Sequence, residues 1–88
     1  MDWDEAKRRS NIAKHGLDFQ DFERFDWDRI IEFPSDVMDG EERHRVAGPL
    51  GDRLVFAIYM ERGGVERLIS LRPVTRHEYR EWIEQYGR

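Results

Sequence analysis

Apolar and polar residues recur with two different periods along the chain, and the N-terminal part follows the helical one. Residues 4–15 are good helix formers and end at Gly16, the residue type expected just beyond a helix C-terminus. Asp18 suits the N-cap of a second, short helix. Three phenylalanines then recur at every third position along one side, and we expect them in the core: Phe19, Phe22 and Phe25.

The middle of the chain shows the composition and alternation of strands. A first strand is predicted over residues 29–33, closed by Pro34, and the polar, acidic residues 35–42 are predicted to form an exposed loop. Three strands then form a meander, over residues 43–48, 53–61 and 65–74, with turns at 49–52 and 63–64. Because both sides of the strand over residues 53–61 are apolar, we expect it in the middle of the sheet.

The C-terminal segment returns to the helical period. Thr75 and Glu78 have the spacing of a capping box, which predicts the start of a helix. Four apolar residues follow at i, i+3, i+4 and i+7: Tyr79, Trp82, Ile83 and Tyr86. We expect Trp82 and Ile83 to pack into the core. The predicted fold is α+β, with N-terminal helices, an antiparallel meander of about four strands and a C-terminal helix.

Length and composition restrict the class of protein. At 88 residues, 39% of them hydrophobic, the chain is expected to form a single domain over residues 1–88. Because it contains no cysteine, disulfides and thiolate chemistry are excluded. The sequence shows neither the apolar segment of a signal peptide nor an apolar run of about 20 residues, so we expect a cytoplasmic protein.

The charge is distributed unevenly. The formal net charge of −4 argues against a nucleic-acid binder when taken alone, since phosphate recognition usually requires excess Lys and Arg. Residues 17–42, however, carry ten acidic side chains and two arginines, a net −8, so the rest of the chain carries +4. This asymmetry fits a protein that meets a basic partner on one surface and an anion on another, although solvated charge explains it equally well.

Four segments together resemble the BrnT toxin family over nearly the whole chain: WDEAK at 3–7, NIAKHG at 11–16, GEER at 40–43 and ISLRPVTRHE at 69–78. The resemblance implies a RelE-like fold and a ribonuclease activity that halts translation. It also implies a BrnA-like antitoxin, encoded alongside, which neutralises the toxin in an assembly of two toxins with two antitoxins. DNA would then be bound only through the antitoxin.

Five basic residues are candidates for the chemistry. RNA cleavage without a metal needs a group that activates the 2′-hydroxyl, cations that stabilise the phosphate and a donor for the leaving 5′-oxygen. Arg72 and Arg76 lie near the start of the last helix, whose free N–H groups favour an anion. Lys14 and His15 end the first helix, and Arg43 lies in the GEER segment.

Each candidate also has a purely structural interpretation. Lys14 and His15 complement the negative end of the helix dipole, and an arginine at a strand end often serves in an ion pair. The sequence has no Gly-rich phosphate loop and no HExxH spacing, so no cofactor and no metal are expected. The alternative function is a non-catalytic binding module that acts through protein partners, as the related ParE toxins do.

Overall fold

The computed structural model describes residues 1–87, which form a five-stranded mixed sheet with helices at both ends. The elements are β1 (Asp2–Trp3), α1 (Glu5–His15), a first 3₁₀ helix (Phe19–Arg24), a second 3₁₀ helix (Trp27–Arg29), β2 (Ile31–Met38), β3 (Glu41–Leu50), β4 (Arg53–Arg62), β5 (Val65–Pro73) and α2 (Arg76–Tyr86). Within these residues no helix is long and apolar enough to cross a membrane.

The strand order is β1-β5-β4-β3-β2, which puts β4 in the middle of the sheet as predicted. All neighbours are antiparallel except β1, which pairs in parallel with β5. The α+β class is confirmed. The prediction of about four antiparallel strands missed β1, the fifth strand. A strand of two residues is too short to show a period in the sequence, because only its pairing with β5 defines it.

Helix α1 has the predicted ends and lies along the edge of β5. The Asp4 side chain accepts a hydrogen bond from the Lys7 N–H, and Gly16 ends the helix at φ 68°. The buried Asn11 amide donates to the Leu71 carbonyl at 2.7 Å and accepts from the Leu71 N–H at 3.2 Å. Asn11 therefore continues the hydrogen bonding of the sheet edge beyond β1 and fixes α1 against β5.

The predicted second helix is present as a 3₁₀ helix. Asp18 caps it by accepting from the Gln20 N–H, and Phe19, Phe22 and Phe25 are buried as expected. Side chains at every third position line one side of a helix with about 3.0 residues per turn, whereas an α-helix with about 3.6 would rotate them apart. The strict spacing of three thus suits the 3₁₀ form.

The predicted acidic loop over residues 35–42 is wrong, because these residues extend β2 and begin β3. The two strands join through a tight turn in which Asp39 and Gly40 have φ 54° and 77°. Asp-Gly favours such turns because both positions need positive φ. β2 starts at Ile31 rather than 29 and runs through Pro34, which an edge strand tolerates where its pairing with β3 shifts between Phe33 and Asp36.

The strand registers define two faces of the sheet. The aromatic face, named for the phenylalanines of the first 3₁₀ helix that pack on it, carries the buried residues Val46, Val55, Ala57, Leu68 and Leu71. The arginine face carries five arginines around the β4 residues Phe56, Ile58 and Met60: Arg43, Arg45, Arg62, Arg67 and Arg72. The main core therefore lies on the aromatic face.

Helix α2 begins with the predicted capping box and lies on the arginine face. Trp82 is half-buried and donates from Nε1 to the Arg29 carbonyl at 2.9 Å, and the Tyr86 hydroxyl donates to the Ile30 carbonyl at 2.7 Å. Ile83 is 37% exposed, so its predicted place in the core is wrong, and Trp82 is only partly covered. The helix docks instead through its aromatic polar groups and the buried Glu78.

Candidate functional site

A cleft lies between α1 and the arginine face of the sheet. It consists of two neighbouring cavities of about 360 and 150 Å³, and both are lined by Lys7 and Ile69. The larger cavity adds Arg43, Arg62 and Arg67, with Asp39 and Glu41 among its acidic residues. The smaller cavity adds five polar residues: Ser10, Asn11, Lys14, His15 and Ser70. Basic side chains from a helix and three strands thus surround one depression.

In the larger cavity, carboxylates hold the arginines in place. The Arg43 Nη2 donates to Asp36 Oδ2 at 2.6 Å, and this hydrogen bond lowers the pKa of Asp36. Arg62 forms a two-pronged pair with Glu41 at 2.8 and 2.7 Å, which lowers the pKa of that carboxyl and raises the pKa of Arg62. Within residues 1–87 the Arg43 Nε is a buried donor that has no hydrogen-bond partner. The guanidinium of Arg43 is therefore only partly satisfied by Asp36.

In the smaller cavity, the last turn of α1 presents Lys14 and His15. Lys14 is exposed, and no carboxylate of residues 1–87 lies within 4.0 Å of its ammonium group. His15 is half-buried beside it. Lys14 also complements the negative C-terminal end of the helix dipole.

Arg72 lies farther along β5 on the same face and is already engaged. Its Nη1 and Nη2 donate to the two carboxylate oxygens of Glu78, both at 2.9 Å, and its guanidinium lies 4.1 Å from the centre of the Phe56 ring. Burial would raise the pKa of Glu78, but the bonds from Arg72 and from the Thr75 N–H outweigh it and lower that pKa. Arg72 therefore joins β5 to the start of α2.

The structure brings together three of the five predicted residues. Lys14 and His15 share the smaller cavity, and Arg43 lies in the larger cavity that adjoins it through Lys7. Arg72 is two positions from Ser70 on the same strand face, outside both linings. Arg76 is exposed at the first residue of α2 and also lies outside them.

Sequence reasoning missed four cations of this surface: Lys7, Arg45, Arg62 and Arg67. Arg43 and Arg45 are two residues apart in β3, so strand alternation already assigned them to one face. Lys7 and Lys14 are seven apart in α1, which places them on one side of the helix. No spacing in the sequence places Arg67 on this surface. Within residues 1–87 no three His, Asp or Glu side chains come close enough to hold a metal ion.

Comparison with known proteins supplies the class that the basic cleft alone leaves open. The sequence model of a family described as "Ribonuclease toxin, BrnT, of type II toxin-antitoxin system" matches residues 3–78. A crystal structure of the Brucella abortus ribonuclease toxin BrnT is similar, with 35% identity and a TM-score of 0.69, over 86% of this chain and 96% of that chain. A comparison with curated proteins gives no match.

These matches define a toxin of the ribonuclease class, which belongs with an antitoxin and acts on RNA. The chain belongs to the BrnT family of type II toxin-antitoxin systems. The resemblance that the sequence segments carry is thereby confirmed, as is the prediction of a ribonuclease.

Proposed function

We propose that this chain is an endoribonuclease toxin that cuts RNA in the cleft between α1 and the arginine face. The observation that carries this proposal is the shared lining of the two cavities, where Lys7 links Lys14 and His15 to Arg43. A strand of RNA presents one phosphate per nucleotide, and adjacent cations on a helix and a sheet suit such a backbone. The family match supports the same reaction class.

The residues of the cleft can divide the steps of the reaction. The 2′-oxygen attacks the phosphorus and loses its proton to His15, the P–O5′ bond breaks, and the leaving 5′-oxygen takes up a proton from water. His15 then returns its proton to the solvent. A 2′,3′-cyclic phosphate and a 5′-hydroxyl result. Arg43 and Lys14 stabilise the negative charge on the phosphate in the transition state.

Arg72 and Arg76 have separate roles in this proposal. Because both terminal nitrogens of Arg72 are bonded to Glu78, its first role is to position α2 on the sheet. The prediction that it holds the scissile phosphate remains a prediction that mutation can test. Arg76 is exposed at a helix start, where free N–H groups attract anions, and suits a phosphate farther along the RNA.

The family match also supports a biological setting for this toxin. The toxin acts in the cytoplasm as a single RelE-like domain, inhibits translation by cleaving RNA, and is neutralised by a BrnA-like antitoxin. Two toxins and two antitoxins form the neutralised complex, and the antitoxin supplies its DNA binding. The family description of a type II toxin-antitoxin system supports the protein antitoxin.

The second candidate function is a non-catalytic binding module. It is favoured by the ion pairs Arg43–Asp36 and Arg72–Glu78, in which two of the predicted catalytic arginines are already bonded to carboxylates. In that case the arginine face would serve only as a scaffold.

Induction of the chain alone in cells distinguishes the two functions. We expect growth arrest and new RNA 5′ ends, both abolished in the Lys14→Ala, Arg43→Ala double variant. Arg24→Ala is the matched control, because Arg24 is an exposed cation that lines neither cavity. Growth arrest that persists in the double variant without new 5′ ends would support the binding module.

A further inference from the structure

A further cavity lies on the aromatic face, away from the proposed cleavage site. It is a groove of about 580 Å³ between β1, the first 3₁₀ helix and β5. Its apolar lining includes Met1, Trp3, Phe22, Trp27 and Leu68. Met1 and Trp27 are 45% and 41% exposed, so part of this apolar surface faces solvent.

Trp27 forms an exposed aromatic wall of the groove. Its ring meets Phe22, Phe25 and Tyr59 edge to face, with centroids 5.7, 5.0 and 5.5 Å away. These contacts fix the indole in one orientation although it is large and exposed. A rigid, exposed tryptophan loses little conformational entropy on binding and is typical of interface centres.

Unpaired glutamates surround this wall. Glu23 and Glu66 line the groove, Glu61 lies directly opposite Glu66 across β4 and β5, and Glu32 lies on the same face of β2. Within residues 1–87 none of these four carboxylates lies within 4.0 Å of a Lys, Arg or His side chain. On the arginine face, by contrast, carboxylates pair with Arg43, Arg62 and Arg72.

Two further observations show that this negative charge is not compensated within the described residues. Like charges directly opposite each other on neighbouring strands destabilise a sheet, and Glu61 and Glu66 are such a pair. Burial raises the pKa of the Tyr59 hydroxyl, and the charges of Glu66 and Glu32 raise it further. The groove thus combines an apolar floor with an acidic rim.

We propose that this groove, lined by Met1, Trp3, Phe22, Trp27 and Leu68 and rimmed by Glu23, Glu61 and Glu66, docks a basic, amphipathic segment of the antitoxin. Apolar side chains of that segment fill the groove while its Lys and Arg side chains pair with the glutamates. The inference rests on the proposed neutralisation by a protein antitoxin. It adds the location and the charge of the contact.

The position of the groove makes a distinctive prediction. The groove lies on the sheet face opposite the cleft, and no residue in its lining also lines either cavity of the cleft. Antitoxin binding and RNA cleavage should therefore depend on different residues.

The test measures binding of the full chain to the separately purified antitoxin encoded beside it, by titration calorimetry at two salt concentrations. The Glu23→Lys, Glu66→Lys double variant should bind at least about tenfold more weakly and lose most of the salt dependence of binding. Its circular dichroism and RNA cleavage should match the unmodified chain. Asp52→Lys, an exposed acid in the β3–β4 turn, is the matched control and should bind normally.

The Lys14→Ala, Arg43→Ala variant should bind the antitoxin as tightly as the unmodified chain. If the folded Glu23→Lys, Glu66→Lys variant binds the antitoxin at full strength, the groove is not the docking site, although the antitoxin remains the partner.

If Ile83→Lys on α2 abolishes binding and the groove variant binds normally, the antitoxin contacts α2 instead. Self-association of the chain that the groove variant abolishes would make a second copy the occupant, and failure of the unmodified chain to bind would remove the proposed partner itself.

Discussion

The two faces of one sheet differ in how their charges are neutralised. On the arginine face, Arg43, Arg62 and Arg72 are bonded to carboxylates from other parts of the chain, and the basic cleft beside α1 remains open. On the aromatic face, aromatic rings cover the strands, and the glutamates at the rim have no cation within 4.0 Å among residues 1–87.

Strand alternation alone produces this difference. In β4, Val55 and Ala57 point into the aromatic core while Phe56 and Met60 point to the arginines. A small chain can thus place its stabilising core on one face and leave the other for cationic chemistry. The net charge of −4 therefore describes neither face.

The largest expected effect is on the aromatic face, where the fold depends on the phenylalanines. Phe19 is 1% exposed, and truncating such a residue to Ala costs about 3–5 kcal/mol. Small domains have a total stability of roughly 5–15 kcal/mol, so Phe19→Ala should leave little folded protein at elevated temperature. Thermal melting followed by circular dichroism checks this. A Trp82→Ala variant should lose less, since Trp82 is only half-buried.

On the arginine face, the largest effect should be on cleavage rather than on stability. Arg43→Ala should slow RNA cleavage by about 10²-fold, comparable to loss of one donor to the transition state. Arg43→Lys should recover part of the rate, because it keeps the charge but loses the planar fork. Single-turnover cleavage rates measure both. Equal rates for Arg43→Ala and the unmodified chain would remove Arg43 from the site.

Arg72→Ala should combine the two kinds of effect. It leaves the buried Glu78 without its two-pronged partner, which should cost roughly 1–3 kcal/mol of folding free energy. If Arg72 only positions α2, the loss of cleavage should follow the loss of folded protein and disappear at low temperature. A cleavage defect of about 10²-fold in fully folded Arg72→Ala protein would instead place Arg72 on the phosphate.

The same pair predicts a pH dependence of stability. The folded-state pKa of Glu78 is lowered, so its contribution is present above the ordinary pKa of 4.5 and is lost as the pH falls through the lower folded value. The melting temperature should therefore decrease as the pH is lowered below about 4.5. In Glu78→Gln this acid-induced fall should be smaller, although the variant starts from a lower melting temperature. If the melting temperatures of the two proteins decrease equally as the pH is lowered, Glu78 does not make this contribution.

The smallest effect concerns the acidic rim. Glu61→Gln removes one member of the like-charged pair with Glu66, so the chain should become slightly more stable at low salt and show less change as salt is added. Comparison of melting temperatures at two salt concentrations checks this. A decrease in stability would mean that the two carboxylates do not repel each other.

The sequence predicted those elements whose stability is local. Helix α1, the capping box of α2 and the turn after β4 carry their own cap and turn residues, and all are present. The prediction of the end of β2 was wrong because the strand lies at the exposed edge of the sheet and lacks the apolar alternation. The Asp39-Gly40 turn was missed because it lies within an acidic segment. β1 exists only through its partner strand.

The candidate site was predictable in part for the same reason. Lys14 and His15 were found from one helix end and Arg43 from a strand, but their proximity depends on α1 docking through Asn11 onto Leu71. Strand alternation would have added Arg45. The ion pair between Arg72 and Glu78 depends on the angle between β5 and α2, and no local sequence pattern predicts that angle.

Cleavage of a short RNA, in the presence of a metal chelator, tests directly whether the cleft beside α1 acts through the 2′-hydroxyl. The purified chain is compared with its Lys14→Ala, Arg43→Ala variant. We expect the unmodified chain to produce a 2′,3′-cyclic phosphate, and we expect no cleavage when the nucleotide at the cut carries a 2′-hydrogen. The folded double variant should be at least about 10²-fold slower. Cleavage at the same sites and the same rate by that variant would place the active site outside the cleft.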